Sequence, residues 1–315
     1  MIYLTLFALS FLLTYLIKNY ALKKSFVADV NERSSHTLAT PHGGGIAIAI
    51  SWFVGLCYLY FYDEIEANLF YALMLGVVIA VLGFLDDLYE LSARFRILVQ
   101  STVAVTALFI LGGLESLNLG FILIENQIVT NLFAYLLIVW FINLYNFLDG
   151  IDGYAASEAV FLALAGFILF GSSHFLVLGA AVFGFLLWNW QRAKIFMGDV
   201  GSTLLGYTVA IFSIYYANEL NTNLWIWITL FGVFWFDATF TLLKRVKNGE
   251  NLAQAHKQHV YQRLTQDGWS HERVVIASMV INMLLFLLVY FMSNLFAAFT
   301  ISLVLLYSIV KYVDR

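Results

Sequence analysis

The stretch NLYNFLDGIDG, residues 143–153, carries four side chains that could bind a metal ion or act on a phosphate. They recur every third residue: Asn143, Asn146, Asp149 and Asp152. A spacing of three places such residues on a slowly drifting stripe of one helical face. Amide and carboxylate oxygens are hard ligands, which suit a Mg²⁺ ion that also holds substrate phosphates. The alternative is a set of helix-end carboxylates that water merely solvates, although helix C-termini disfavour acids.

Four further polar stretches contain residues of the same chemical types. In one of them, Asp199 lies between two glycines, and Ser202 or Thr203 is expected to cap the helix that follows. A helix start with exposed N–H groups favours phosphate, whereas the carboxylate favours a metal ion. An ordinary capped loop is the alternative. The four stretches are NERSSHTLATPHGGG (31–45), GFLDDLYELSARFR (83–96), KIFMGDVGST (194–203) and AHKQHVYQR (255–263).

The last of these stretches contains two histidines, His256 and His259, that could share one face of a helix. Their spacing also suits a pair of metal ligands, but no matching Cys or Glu arrangement indicates zinc. With Arg263 alongside, phosphate binding is favoured over zinc, and a solvated loop is the alternative. The remaining histidines His174 and His271 have no supporting neighbours in the sequence and are interpreted as structural.

The composition shows which kind of structure must position these residues. The 315 residues are 62% hydrophobic and only 11% charged, whereas a soluble domain carries about 25% charged residues. Apolar runs recur along the whole chain, which predicts a polytopic membrane protein. The first run, 2–17, lacks the basic segment and cleavage site of a signal peptide and is interpreted as a retained helix. The single cysteine, Cys57, excludes an intrachain disulfide.

We predict an all-α integral membrane protein with eleven transmembrane helices in a single domain that spans residues 1–315. The predicted helices are 2–17, 45–62, 68–85, 97–112, 129–147, 154–170, 174–190, 203–218, 224–243, 273–292 and 295–311. Segment 113–128 is partly apolar and is expected to form a small hairpin or an interfacial segment. Glu158 and Asp237 lie within or near helix ends, and each is either a buried hydrogen-bonding group or part of a cavity.

The distribution of charge predicts the orientation of these helices. With eleven helices, all 16 Lys and Arg residues fall on one side of the membrane. The other side holds six acidic residues and no basic one: Asp63, Glu64, Glu66, Glu115, Glu125 and Glu219. The positive-inside rule therefore places the N-terminus outside and the C-terminus in the cytoplasm. The predicted cytoplasmic loops are 18–44, 86–96, 148–153, 191–202 and 244–272, and they hold all five polar stretches.

The five stretches together, in this order, resemble the polyprenyl-phosphate N-acetylhexosamine-1-phosphate transferases of the glycosyltransferase 4 family, which includes MraY and the WecA-type enzymes. The resemblance extends over residues 29–265, and its distinctive marks are GFLDDL, NFLDGIDG, FMGDVGS and the late histidine loop. Segment 237–264 is most similar to the bacterial branch that starts O-antigen or capsule repeat units. The late loop reads HKQH and lacks the contiguous histidine triplet of the MraY branch, which argues against a peptidoglycan substrate.

The resemblance implies a reaction and its partners. Undecaprenyl phosphate attacks the β-phosphate of a UDP-N-acetylhexosamine and gives undecaprenyl-diphosphate-sugar and UMP. This is an EC 2.7.8 type of transfer and the first membrane step in the synthesis of an envelope polysaccharide such as lipopolysaccharide. Mg²⁺ is the implied cofactor, with Mn²⁺ as an alternative. The implied location is the bacterial inner membrane, with the active site on the cytoplasmic face. Membrane lipids and a homodimer are among the partners, and nucleic acid is not.

The resemblance also implies roles for individual residues, by their positions in the shared motifs. Asn146 and Asp199 match the metal ligands, and Asp152 and Phe196 match residues that bind uracil by hydrogen bonding and stacking. The catalytic carboxylates are Asp86, Asp87 and Asp149, with Asp86 matching the residue proposed to activate the lipid phosphate. Positions that hold phosphates or contact the nucleotide are matched by His36, Arg96, His256, His259 and Arg263. His42 departs from the pattern, and no role is assigned to it.

A phosphate monoester is largely ionised near neutral pH, so positioning and charge control are favoured over a strong general base for the carboxylates. Two other classes of membrane protein also use carboxylates. An ion-coupled transporter would place them near the middle of the bilayer, beside discontinuous helices. An intramembrane aspartyl protease would need two aspartates deep in facing helices. Here the carboxylates gather at one membrane face beside glycine loops, which favours the transferase.

Overall fold

A computed structural model shows a helical bundle with two short antiparallel hairpins. The helices are α1 (Ile2–Lys23), α2 (Gly45–Phe61), α3 (Ala67–Met74), α4 (Gly76–Tyr89), α5 (Ala93–Leu111), α6 (Gln127–Phe147), α7 (Tyr154–Phe170), α8 (Ser173–Asn189), α9 (Asp199–Glu219), α10 (Trp225–Leu230), α11 (Gly232–Lys247), α12 (Val260–Gln266), α13 (His271–Phe291) and α14 (Leu295–Val313). Strand β1 (Val27–Ala28) pairs with β2 (Thr40–Pro41), and β3 (Leu117–Asn118) pairs with β4 (Leu123–Ile124). The structure describes residues 1–23, 27–28, 40–219, 224–251 and 256–314.

The membrane-protein prediction is confirmed by the lengths and hydropathy of these helices. Within the described residues, seven helical segments are long and apolar enough to cross a membrane, and three apolar helices of 17 residues accompany them. Each predicted helix has a helical counterpart. Two counterparts are interrupted: α3 and α4 meet at Leu75, and α10 and α11 meet at Phe231. That all eleven cross the membrane, and in which orientation, remains a prediction.

Helix α9 lies at the centre of the bundle. Of its apolar 18-residue stretch, 94% is buried. It packs against α2, α4 and α6. Small residues allow the close approach, since a side chain at Gly206 would collide with the backbone of Phe141 on α6. Helices α1 and α14 are peripheral, since only 17% and 22% of their apolar 18-residue stretches are buried. A central helix with one end at the polar loops is therefore fixed from several sides.

The polar stripe predicted for residues 143–152 does not continue past the end of α6. The helix ends at Phe147, so Asn143 and Asn146 share a helical face, whereas Asp149 and Asp152 lie in the following loop. The extension of the stripe to these two aspartates was therefore wrong. Gly153, with φ +73°, precedes α7 in the left-handed region that glycine adopts readily. The chain thus turns between two helices, and its carboxylates leave the helical direction.

Other predicted boundaries also need correction. Asp86 and Asp87 belong to α4 and Arg96 belongs to α5, so the loop expected at 86–96 is only 90–92. Ser202 and Thr203 do not cap α9: the helix begins at Asp199, and both hydroxyls donate to carbonyl oxygens four residues earlier. The expected loop 244–272 contains the end of α11 and all of α12. The hairpin expected within 113–128 is confirmed by β3 and β4.

Candidate active site

The candidate site lies at one end of the bundle, where α4 and α6 end and α9 begins. The last turns of α4 carry Asp86 and Asp87, and the last turn of α6 carries Asn146. Asp199 is the first residue of α9, and Asp149 follows α6 directly. We call these five residues the acidic cluster. Helix ends bring these polar side chains to the surface of an otherwise apolar bundle without placing them against lipid.

Two glycines bring neighbouring helices against the start of α9. A Cβ atom at Gly83 of α4 would lie 2.6 Å from the carbonyl carbon and oxygen of Asp199. A Cβ atom at Gly45, the first residue of α2, would collide with the backbone of Gly201. Because real Cβ atoms do not approach so closely, only glycine permits this packing. The first turn of α9 is consequently held by α4 and α2 at the same time.

Asn146 and Asp199, the predicted metal ligands, are in direct contact. Asn146 Nδ2 donates to Asp199 Oδ1 at 2.7 Å and to Ser202 Oγ at 3.1 Å. The backbone N–H of Asp199 donates to Asp87 Oδ1 at 3.2 Å. The structure therefore joins the ends of three helices through polar groups of the acidic cluster.

The adjacent residues Asp86 and Asp87 have different partners. Asp86 is buried, accepts a hydrogen bond from the backbone N–H of Leu91 at 2.7 Å, and pairs with the guanidinium of Arg96. Asp87 uses Oδ1 to hold α9, and its buried Oδ2 has no hydrogen-bond partner among the described residues. A buried acceptor without a partner is costly. Asp87 is thus the member of the pair with a carboxylate oxygen that no hydrogen bond from the described residues satisfies.

Arg96 provides the positive charge within the acidic cluster. Its Nη1 pairs with Asp86 and lies 4.0 Å from Asp199 Oδ2. The cluster is still strongly negative, and Asp149 responds to this. Burial raises the pKa of Asp149 well above its usual value, and the negative charges of Asp199 and Asp87 raise it further. The carboxyl of Asp149 is therefore prone to hold a proton in the absence of a cation.

A small pocket of about 30 Å³ opens between the acidic cluster and α5. Its lining includes Gln100 and Asn143 beside Asp86, Asn146 and Asp199, whereas Asp87 and Asp149 do not line it. Asn143 Nδ2 donates to Gln100 Oε1 at 2.8 Å. Asn143 was left without a role, and Gln100 was missed. The spacing of four between Arg96 and Gln100 on α5 was the available signal, because such residues share a helical face.

Loop 148–153 connects the acidic cluster to two other parts of the site. Asp149 lies within electrostatic reach of Asp87 and Asp199. The absence of a side chain at Gly150 accommodates the Tyr261 hydroxyl, which donates to the carbonyl of Phe147 at 3.1 Å. Further along, the loop reaches the segment after α8. One six-residue loop therefore touches the carboxylates, the histidine segment and the segment that carries Phe196.

Asp152 points away from the acidic cluster, toward the segment after α8. Its Oδ2 accepts from the backbone N–H of Ala193 at 3.2 Å, and its own backbone N–H donates to His271 Nδ1 at 3.3 Å. His271, interpreted from the sequence as structural, thus has a hydrogen-bond partner that is distant in the chain. Asn189 ties the same segment to the loop, because it accepts from the N–H of Gly153 and donates to the carbonyl of Ile195.

Phe196 is held by backbone pairing with the segment that leads into α2. The N–H of Phe196 donates to the carbonyl of Pro41 at 2.8 Å, and the N–H of Gly44 donates to the carbonyl of Phe196 at 2.9 Å. The half-buried Phe196 directly follows Ile195 in the chain. Asn189 connects Ile195 to the loop that carries Asp152. The two residues expected at the nucleotide base are brought to the same region.

The histidine segment is anchored by Asp237 of α11. Both carboxylate oxygens of Asp237 accept from the N–H of Val260, at 2.9 and 3.0 Å, and His259 Nδ1 lies 3.5 Å away. Asp237 is therefore a buried hydrogen-bonding group, and it also lines a cavity of about 160 Å³ beside Val260 and Tyr261. His256 and His259 do not share a helix, since α12 begins after them. Their ring centroids are 4.9 Å apart.

The side chain of His256 lacks the positive charge that would attract a phosphate. Burial lowers its pKa to about 4, and the positive charges of His259 and Arg245 contribute in the same direction. His256 is therefore neutral near pH 7 in this state and would meet a phosphate through hydrogen bonding. Arg263 is directed elsewhere: its guanidinium pairs with Asp314 beyond α14. The structure does not bring Arg263 to the acidic cluster.

The remaining predicted residues lie around the first loop or in the membrane. His36 lies outside the described residues. His42 is half-buried, and burial lowers its pKa below the usual value. Glu158 is fully buried in α7 and accepts a hydrogen bond from Asn282 of α13. Glu158 is thus a buried hydrogen-bonding group that links two helices.

The acidic cluster fits a divalent cation that is shared with a substrate. Within the part of the chain that the structure describes, no three His, Cys, Asp or Glu residues enclose a metal site. Mg²⁺ is usually bound by one or two protein carboxylates, with water and substrate phosphates completing its shell. The contact between Asn146 and Asp199, with the unpartnered Oδ2 of Asp87 on the same helix ends, matches that donor chemistry.

Comparison with known proteins agrees with this geometry. A family model described as glycosyl transferase family 4 matches residues 69–217. A probable undecaprenyl-phosphate N-acetylglucosaminyl 1-phosphate transferase of Bacillus subtilis is 33% identical over 285 residues, which cover 86% of this chain and 78% of that protein. A decaprenyl-phosphate N-acetylglucosaminephosphotransferase of Mycobacterium leprae is 28% identical over 87% of this chain and 78% of its own length.

A third relative is an undecaprenyl-phosphate alpha-N-acetylglucosaminyl 1-phosphate transferase of Yersinia pestis, which is 28% identical over 88% of this chain and 79% of its own length. The matched region of the family model runs from α3 to α9 and so includes every member of the acidic cluster. The likeness covers most of each protein, so it is not limited to a single motif. The chain therefore belongs to glycosyl transferase family 4.

Proposed function

We propose that this protein transfers N-acetylhexosamine 1-phosphate from a UDP-sugar to undecaprenyl phosphate. The observation that carries the proposal is the contact between Asn146 and Asp199 inside a carboxylate cluster at one end of a membrane bundle. One substrate is a lipid and the other is a soluble nucleotide, so the reaction needs a site where membrane and water meet. The names of the relatives make N-acetylglucosamine the first sugar to test.

In the proposed reaction, an oxygen of the lipid phosphate forms a bond to the β-phosphorus of the UDP-sugar. The bond between that phosphorus and the bridging oxygen breaks, and UMP leaves with the electron pair. Both reactants are anions, so charge neutralisation is the main requirement. A lipid phosphate monoester loses its second proton near pH 6, which leaves it largely ionised at neutral pH. A strong general base is therefore unnecessary.

Asn146 and Asp199 are the proposed ligands of a Mg²⁺ ion, with Mn²⁺ as an alternative and Asp87 Oδ2 as a further oxygen. When bound, the ion would supply positive charge to the reacting phosphates. Arg96, fixed by Asp86, adds a permanent positive charge at the edge of the same cluster. Asp86 would then act by positioning Arg96, whereas Asp87 and Asp149 would control the charge around the bound phosphates.

The nucleotide is proposed to lie along loop 148–153 toward the segment after α8. Asp152 would accept from the uracil, and Phe196 would stack on it. The N–H of Ala193 orients the Asp152 carboxylate, and His271 Nδ1 accepts from the backbone N–H of Asp152, which makes His271 a positioning residue in this proposal. His256 and His259 would contact phosphates from the other side of the loop by hydrogen bonding. Arg263 would join them only after leaving Asp314.

The proposed orientation puts this end of the bundle in the cytoplasm, with eleven helices in a single domain in a bacterial inner membrane. The basic residues support it, since they lie on the side of the candidate site. The product would be the lipid-linked first sugar of an envelope polysaccharide.

The decisive experiment uses the purified full chain in lipid nanodiscs with undecaprenyl phosphate, Mg²⁺ and a panel of UDP-sugars. UMP release and the lipid product are followed together by mass spectrometry. We expect UMP release that depends on the lipid and produces one lipid-diphosphate-sugar per UMP. Absence of lipid-dependent UMP with every N-acetylated UDP-sugar would exclude the transferase. Sugar-independent proton or ion flux through sealed vesicles would instead favour the transporter.

A further inference from the structure

A large cleft opens at the end of the bundle opposite to the acidic cluster. Its volume is about 1070 Å³, which is at the upper end of the range of small-molecule sites, about 300–1000 Å³. The ends of α2, α7 and α9 and the starts of α3 and α8 form its walls. Asp199 and Tyr216 lie at opposite ends of α9, about 25 Å apart at 1.5 Å per residue. The cleft is therefore separate from the candidate active site.

Three carboxylates surround the cleft, and no Lys or Arg is among its lining residues. Asp63, Glu64 and Glu66 are exposed, and among the described residues no basic side chain forms an ion pair with any of them. Glu66 precedes α3 without making a side-chain capping bond. The cleft thus has a negative rim without an internal counter-charge, which favours a cationic ligand and disfavours an anion.

The inner wall of the cleft contains a buried hydrogen-bond acceptor. Tyr216 donates its hydroxyl proton to Ser172 Oγ at 2.8 Å, so in the 2.9 Å contact between Tyr216 and His174 the donor is Nε2. Nδ1 of His174 then carries the lone pair. This residue is only 3% exposed, and its Nδ1 has no hydrogen-bond partner among the described residues. A donor from a ligand would remove the cost of leaving this atom unpaired.

Aromatic rings complete the lining and point to an organic cation. Tyr60, Phe170 and Tyr216 line the cleft, and Tyr60 stacks on Phe70 while Phe170 stacks on Tyr216, which leaves at most one face of each ring for a ligand. Ammonium groups bind favourably over such rings. A coordinated metal ion is a poorer match, because no three His, Cys, Asp or Glu side chains within the described ranges are arranged to hold one.

We propose that this cleft binds an organic polyamine, a flexible chain with several ammonium groups. The ammonium groups would pair with the rim carboxylates and lie over the rings, and one N–H would donate to His174 Nδ1. By the predicted orientation, the cleft faces the outside of the membrane.

The test is calorimetric titration of spermidine into the purified full chain in detergent at low salt. We expect saturable binding to one site. Combined substitution of Asp63→Asn, Glu64→Gln and Glu66→Gln should weaken the affinity at least tenfold. The matched control combines Glu115→Gln and Glu125→Gln, two exposed acids on the same side but outside the cleft, and should change the affinity less than twofold. Thermal melting checks that both variants remain folded.

Two further measurements test whether the ammonium groups are recognised and whether the cleft is independent of the acidic cluster. The neutral chain 1,8-octanediol should not bind, and Asp199→Ala should retain spermidine binding whether or not the transferase proposal holds. The polyamine site is refuted if wild type shows no saturable binding. Equal weakening by the Glu115 and Glu125 substitutions would also refute it, because it would show attraction to general surface charge. Binding of octanediol with comparable affinity would show that the ammonium groups are not recognised.

Discussion

The two ends of the bundle both gather carboxylates, yet these carboxylates have very different surroundings. At the acidic cluster, Asp86 is buried and paired with Arg96, and Asp87 accepts from the backbone of Asp199. At the cleft opposite to the acidic cluster, which we call the outer cleft, Asp63 and Glu64 are exposed and have no basic partner among the described residues. The comparison shows that the neighbours of a carboxylate, and not its charge alone, determine which ligand it suits.

The largest effect should follow from removing the carboxylate that joins the acidic cluster. Asp199→Ala removes a proposed metal ligand and the acceptor of Asn146, so we expect the transferase rate to fall about 100-fold or more. Steady-state UMP release at varied Mg²⁺ measures this. Glu125→Gln, an exposed acid at the other end, is the matched control and should keep the wild-type rate. An Asp199→Ala enzyme with unchanged rate and Mg²⁺ dependence would contradict the assignment.

A second test disrupts the close packing of α4 against α9 at the acidic cluster, which the outer cleft lacks. Gly83→Ala places a methyl group 2.6 Å from the Asp199 backbone, and relief of this overlap should cost about 1–3 kcal/mol of unfolding free energy. We also expect a loss of activity, because α4 must move away from α9. Thermal unfolding in detergent and UMP release measure the two effects. The control is Gly179→Ala in α8, where an added Cβ meets only an ordinary contact at 3.5 Å.

A third test makes the acidic cluster resemble the outer cleft by removing its positive charge. Arg96→Gln leaves the buried Asp86 without its ionic partner. Because Arg96 is itself 38% exposed, we expect a modest loss of about 1–2 kcal/mol in unfolding free energy. Activity should fall as well, and Arg96→Lys should restore part of it. If Arg96→Lys is as inactive as Arg96→Gln, the role of Arg96 depends on its planar geometry and not on charge alone.

The smallest expected effect is a pH dependence from Asp149. Its folded-state pKa is raised by burial and by the neighbouring carboxylates. The stabilising contribution is therefore complete below the unfolded-state pKa near 4 and is lost as the pH rises through the raised folded-state pKa. In metal-free detergent solution, the melting temperature of wild type should fall more steeply with rising pH than that of Asp149→Asn. Parallel slopes for the two proteins would contradict the burial of a strained carboxyl at this position.

Most of the fold could be predicted because the hydrophobic effect acts on long runs of sequence. Each predicted helix was found, and the hairpin within 113–128 was among the stated alternatives. The breaks at Leu75 and Phe231 were not predicted, although the glycines that follow them, Gly76 and Gly232, were an available signal because glycine weakens a helix interior. Helix α12 was not predicted, because its seven residues are too few to show a reliable period.

The candidate site was predicted in composition but not in geometry. The motifs identified Asn146 and Asp199, and the structure places their side chains in contact. They did not reveal that Asp86 is paired with Arg96, whereas Oδ2 of Asp87 has no hydrogen-bond partner in the described part of the chain. Adjacent residues on a helix point in different directions, so their partners depend on which helices pack nearby.

The sequence by itself determined that this is a helical membrane protein whose acidic and basic residues gather at helix ends, because apolar runs and charged loops have strong local signals. Only the tertiary structure decided which of these residues meet. The pairs Asp152 with His271 and Asp237 with Val260 join residues far apart in the chain. The close approach of Gly83 to Asp199 likewise exists only once α4 and α9 have packed. Such contacts depend on shape complementarity between helices, which no local pattern of residues records.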